Sequence, residues 1–297
     1  MGLHAGEIVE VKSLDEIIST LDENHELEGL PFMPEMSRYC GRKLRVLGRV
    51  DRMTVEGYGF RVIRNSVILE GATCNGEAHE GCKRTCFVLW KEAWLRRSEK
   101  KVSTDGSNAY SPAASGLPSS KKANCQSANL LIASSDPRTW DIRTYSPVIR
   151  QRKLRVLLLS LRLEILSILT GSKRWSMSTS SRRTPTSELG LKDGEIVEVK
   201  SKDEIIATLD YKGRNRGLEF TPEMLKYCGK RMRVLKRVDR MIIEKTGKMR
   251  QIANTVLLEE ANCDGQNHGG CPRNCYCLFR EIWLRRVDKV EKLTSVY

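Results

Sequence analysis

Gly6-Glu7-Ile8-Val9-Glu10-Val11-Lys12-Ser13 returns as Gly194-Glu195-Ile196-Val197-Glu198-Val199-Lys200-Ser201, and this recurrence decides the architecture. Working outward, Pro34-Glu35-Met36 returns as Pro222-Glu223-Met224. Arg49-Val50-Asp51-Arg52-Met53 returns as Arg237-Val238-Asp239-Arg240-Met241, and Trp94-Leu95-Arg96-Arg97 as Trp283-Leu284-Arg285-Arg286. The offset is 188 as far as Met53/Met241 and 189 from Arg61/Arg250. The single length change therefore falls where Gly57-Tyr58-Gly59 faces Lys245-Thr246-Gly247, and a tolerated insertion marks a hairpin turn. The chain is one module written twice, over 1–97 and 188–297.

Between the copies, 98–187 is rich in Ser, Lys and Arg with no repeat running through it. It reads as a largely disordered linker, with one possible helix at 152–170, where dense leucines are interrupted by charge. The chain has 297 residues, of which 40% are hydrophobic. That excludes a mini-protein, a collagen-like chain and a wholly disordered one. No signal-peptide pattern opens the sequence, and Leu154–Leu169 is too short and too charged to span a bilayer. A soluble, cytoplasmic protein is expected.

Within a module, Ile8–Lys12 alternates as a short strand. Ser13-Leu14-Asp15-Glu16 then supplies a capping box, in which the Ser13 hydroxyl accepts from the Glu16 backbone N–H. Ser201 and Glu204 repeat the device. Pro34–Gly41 reads as a short helical turn stopped by glycine, and Leu44–Val50 and Val62–Leu69 read as strands joined by the hairpin. Cys86–Leu95 closes the module as a strand, with helix an alternative for Lys91–Arg97. The fold class expected is α+β: two tandem small modules, each one helix packed on a short antiparallel sheet or SH3-like barrel. About 90 residues bury only a modest core, so a metal staple would help.

The cysteines carry the most specific chemistry. Cys40, Cys74, Cys82 and Cys86 recur in register as Cys228, Cys263, Cys271 and Cys275, whereas Cys277 aligns with Val88 and Cys125 lies between the copies. Four thiolates are what a closed zinc site requires, so each set is a candidate metal site. Zinc is the expected ion, and an iron–sulfur cluster the alternative. Buried structural thiols and a disulfide or redox pair compete with it. His79 and His268 lie between two of the cysteines in each copy, as ligands, as groups behind the ligands, or as plain loop histidines.

Leu30-Pro31-Phe32-Met33-Pro34-Glu35-Met36 and Tyr39-Cys40-Gly41, with His268-Gly269-Gly270-Cys271 and Glu281-Ile282-Trp283-Leu284, resemble a family of small uncharacterised prokaryotic proteins. The resemblance covers both modules and not the segment between them. It implies stand-alone single-module relatives and no particular activity. This chain departs from it in being doubled, and in carrying Glu80 where the second copy has Gly269.

Catalysis has little support, since no nucleophile elbow, P-loop, dinucleotide fingerprint or H-E-x-x-H is present. Glu35 and Glu223 are candidate acids or bases, although a first-turn carboxylate is ordinary. The net charge of +14 raises nucleic acid as a partner, yet 98–193 alone holds 16 basic and 7 acidic residues. Basic strand positions that could track phosphates are Arg42, Lys43, Arg45, Arg49 and Arg52, and in the second copy Lys230, Arg231, Arg233, Arg237 and Arg240. No aromatic-rich run accompanies them, which argues against base stacking. The expected function is a non-enzymatic binding or accessory protein built from two metal-stabilised modules, its partner a protein or nucleic acid. Nucleic-acid or ribonucleoprotein binding is the alternative, and an iron–sulfur or thiol redox protein ranks third.

Overall fold

A computed structural model describes residues 2–98, 125–137 and 184–287. The 152–170 segment lies outside them. Strands of the first copy are β1 (Ile8–Val11), β2 (Glu26–Leu27), β3 (Leu30–Pro31), β4 (Lys43–Arg49), β5 (Arg52–Val55), β6 (Gly59–Val62), β7 (Ser66–Thr73), β8 (Phe87–Lys91) and β9 (Leu95–Arg97). Those of the second are β10 (Ile196–Val199), β11 (Arg214–Asn215), β12 (Leu218–Glu219), β13 (Arg231–Arg237), β14 (Arg240–Ile242), β15 (Met249–Gln251), β16 (Thr255–Asn262), β17 (Tyr276–Arg280) and β18 (Leu284–Arg286).

Each copy builds a curled, five-stranded half-barrel sheet, in the orders β8-β7-β4-β1-β9 and β17-β16-β13-β10-β18. Pairing is antiparallel, with Val9 opposite both Leu44 and Arg97 and Val197 opposite both Met232 and Arg286. Sheet predominates, and the described α-helices are short: α1 (Leu14–Ile18), α2 (Gln126–Asn129) and α3 (Lys202–Ile206). The capping boxes form as the sequence predicts. Glu16 N–H reaches Ser13 Oγ at 3.4 Å while Glu16 Oε2 accepts from Ser13 N–H at 3.0 Å, and Ser201/Glu204 repeat both bonds.

The expected hairpin exists but does not join the long strands directly. β5 and β6 pair with each other, with Val55 opposite Gly59, as a separate two-stranded ribbon between β4 and β7. β4 pairs with β7 through a register shift between Val46 and Gly48, and the bulge turns the strand out of the hairpin's path. Past β8, a 3-10 turn over Glu92–Trp94 intervenes before β9, so Lys91–Arg97 is neither one strand nor an α-helix.

The cores are aromatic. Trp90, Trp94, Phe32 and Tyr39 meet edge to face, with centroids 5.4–6.5 Å apart, the geometry that aligns positive ring edges with negative faces. Trp283 with Phe220, and Phe279 with Tyr227, repeat it. A buried glutamate closes each module. Glu92 accepts from Gly2 N–H at 3.0 Å and Leu3 N–H at 2.9 Å and pairs with Arg49. Glu281 accepts from Gly190 and Leu191 N–H at 3.1 and 3.2 Å and pairs with Arg237 at 2.5 Å.

Among the described residues two compact units result: 2–98 and 125–137 with 238–253 and 262–276, and 184–237 with 254–261 and 277–287. Part of the expected linker is structured. Gln126 accepts from Leu89 N–H at 2.8 Å and donates to Leu89 O at 3.0 Å. It thereby satisfies the backbone of β8 at the sheet edge, where an open strand would invite pairing. Ser135 bridges Val62, and Arg61 pairs with Asp136.

Candidate metal centre

The Pro34–Tyr39 3-10 turn carries Glu35 inward, with proline fitting its first position because no N–H is needed there. Cys74 follows β7 and its N–H meets Cys86 O at 2.8 Å, so the two ends of the cysteine loop are zipped together. Inside the loop, His79 N–H and Gly81 N–H both reach Gly76 O at 3.0 Å. Gly76 has φ +80, and a Cβ there would stand 1.8 Å from Cys82 O, so only glycine lets the loop close this tightly. Gly265 repeats the arrangement, with φ +74 and a Cβ 2.0 Å from Cys271 O.

That closure delivers His79 to Glu35. Nε2 lies 2.9 Å from Glu35 Oε1, with side-chain exposures of 1% and 3%. The Cys74 thiol donates to the same Oε1 at 3.1 Å, and Met33 Sδ lies 3.3 Å from His79 Nε2. One oxygen, one sulfur and one nitrogen donor all sit within 4.8 Å of one another, and the repeat puts the same residue types, Glu223, Cys263 and His268, at the matching positions of the second copy. Glu35 Oε2 and His79 Nδ1 are buried without any hydrogen-bond partner, an arrangement that costs free energy unless something further engages the group.

Burial opposes ionisation of Glu35, but the hydrogen bond and charge of His79 and the bond from Cys74 outweigh it and hold its carboxyl below the usual range. Burial and the Glu35 carboxylate push the Cys74 thiol far up. A cation among these three atoms reverses that pressure, because metal coordination deprotonates a thiol.

The other cysteines lie differently. Cys74, Cys82 and Cys86 share the lining of a cavity of about 20 Å³ with Cys125, Met33 and Arg84, room for one water-sized sphere. Burial pushes the Cys125 thiol up to about 12. Cys40 is half-buried at the end of the Pro34–Tyr39 turn and outside this lining, its thiol pushed up to about 11 by burial. Among the described residues, neither four-cysteine set forms a group with donor atoms within 4.8 Å. Glu35 is the donor that sequence reasoning passed over as a ligand. The available signal was an inward carboxylate kept in both Pro-Glu-Met turns alongside a kept loop histidine.

At least half of the basic strand positions meet carboxylates. Arg45 faces Glu70 at 3.4 Å, Arg49 faces Asp51 at 2.8 Å, Arg233 faces Glu259 at 3.6 Å and Arg240 faces Asp239 at 3.7 Å. Arg42 and Lys230 are exposed, and Lys43, Arg52 and Arg231 lie on the same strands or beside them. No described helix is long and apolar enough to cross a membrane. The chain matches no protein-family model, and no curated protein or solved structure is found to be similar to it.

Proposed function

We propose that the chain is a non-enzymatic, metal-binding accessory protein in which each copy uses a glutamate–cysteine–histidine set to hold one zinc ion. The observation that carries this reading is the buried donor group of Glu35, Cys74 and His79, with Glu35 Oε2 and His79 Nδ1 left unpartnered. Mixed O, S and N donors suit zinc. With His79 and Glu35 only 1% and 3% exposed, the ion acts as a staple between the Pro-Glu-Met turn and the cysteine loop, and substrate has no access to it. Phosphate binding is the weaker reading, because Arg45, Arg49, Arg233, Arg237 and Arg240 each have a carboxylate beside them.

Metal analysis of the purified full chain tests the proposal, with about two zinc ions per chain expected. Glu35→Gln, Cys74→Ser and His79→Gln each lower the count by about one, while Cys40→Ser leaves it unchanged. A count lowered by Cys40→Ser and untouched by the Glu35 and His79 variants would transfer the ion to the four-cysteine set. A brown, iron-containing protein would replace zinc with a cluster.

A further inference from the structure

Within the first unit, the β14–β15 hairpin and the cysteine loop of the second copy pack against their own counterparts. Thr54 and Ile242 occupy the same position of the repeat, as do Cys82 and Cys271, and Arg84 and Arg273. Thr54 N–H donates to Cys271 Sγ at 3.4 Å, and Ile242 N–H donates to Cys82 Sγ at 3.4 Å. Arg273 Nη1 reaches Thr54 O at 3.4 Å, and Arg84 Nη1 reaches Ile242 O at 3.5 Å.

Each contact is thus made twice with the roles of the copies exchanged. Residues that meet their own equivalents lie along the line between them. Phe87 stacks on Tyr276 with centroids 5.8 Å apart and planes 17° apart, and Glu56 N–H meets Glu244 Oε2 at 3.3 Å. Gly57 lies so near Lys245 that a Cβ would come within 2.6 Å of its Cδ. Reciprocal pairs flanking self-pairs are the signature of an isologous two-fold interface.

We infer that the module is a two-fold pairing unit whose partner is a second copy of itself, and that this chain is such a pair on one polypeptide. Departures from symmetry are local. Lys83 donates its N–H to Arg240 O at 3.0 Å and its ammonium pairs with Asp239 at 2.9 Å, whereas the equivalent Pro272 has no N–H. Glu244 serves both arginines, at 2.6 Å from Arg273 and 3.2 Å from Arg84. The pairing also gives Cys82 and Cys271 a reason to recur in register that is independent of any metal: each sulfur accepts a backbone N–H from the opposite hairpin.

The test uses the full chain with a specific protease site inserted between residues 150 and 151. After cleavage, native mass spectrometry should find the two fragments as a one-to-one complex at the mass of the cut chain. In the uncut chain, Thr54→Cys under mild oxidation should join Cys271, and Ile242→Cys should join Cys82, as read by peptide mapping. Fragments that separate while keeping their native circular dichroism, or only one of the two cross-links forming, would overturn the two-fold pairing. Loss of zinc without loss of fragment association would leave it standing, so its failure is distinguishable from failure of the metal reading.

Discussion

Replacing Glu92 with glutamine removes a buried charge and keeps the shape. The carboxylate accepts from Gly2 and Leu3 N–H and pairs with Arg49, with its side chain 5% exposed. Burial works against its ionisation, yet its hydrogen-bond donors taken together, these three among them, outweigh that and hold it at about 2, against an ordinary 4.5. A depression of that size corresponds to about 3 kcal/mol favouring the folded state at neutral pH. The native carboxyl is ionised where the unfolded one already takes up protons, so this contribution is present above pH 4.5 and is lost as pH falls from there toward 2. Hydrogen exchange followed by mass spectrometry at pH 7 should show amides of β1 and β4 in the Glu92→Gln protein exchanging ~100-fold faster, as the lost energy requires. Between pH 5 and 2.5 the wild-type protein should approach the variant. Equal exchange at pH 7, or two curves that stay parallel through that window, would refute the argument.

Ser13→Ala and Ser201→Ala should each cost about 1 kcal/mol in urea unfolding, the usual effect of losing an N-cap. Gly76→Ala forces a Cβ to within 1.8 Å of Cys82 O. It should destabilise the first unit by at least about 2 kcal/mol and lower the zinc count of the full chain, both measurable on one preparation. Glu244→Lys places a cation against Arg84 and Arg273, so fragments of the cleaved chain should come apart on size exclusion while the wild-type fragments stay together.

The repeat, the first strand, both capping boxes and the hairpin turn were legible because each is a local signal: period-two alternation, Ser followed three residues on by Glu, and a length change between matched residues. The sheet order was not. β1 lies between β4 and β9, a placement that buries Val9 and Val11 in the same core as Trp90 and Trp94, which no neighbouring residue encodes. Residues 125–137 looked like linker because Gln126, like any glutamine, carries no pattern. Its value comes from matching the N–H and C=O of Leu89 across space. Glu35 was ambiguous for a related reason, since a carboxylate in a first helical turn has a sufficient local explanation. Only closure of the loop at Gly76 shows that it faces His79 and Cys74.

Doubling within one polypeptide frees the copies from a constraint that binds every assembly of identical subunits, in which a change to one site is a change to all. Here Met33 offers its thioether 3.3 Å from His79, while the equivalent position is Thr221; Val88 faces Cys277 in the same comparison, and Glu80 faces Gly269. If each set takes an ion as proposed, a soft sulfur beside the first and a hydroxyl-bearing residue at the matching position of the second would give the two different ion preferences. On the proposed metal reading, substitutions confined to one copy would therefore tune one site without touching the other.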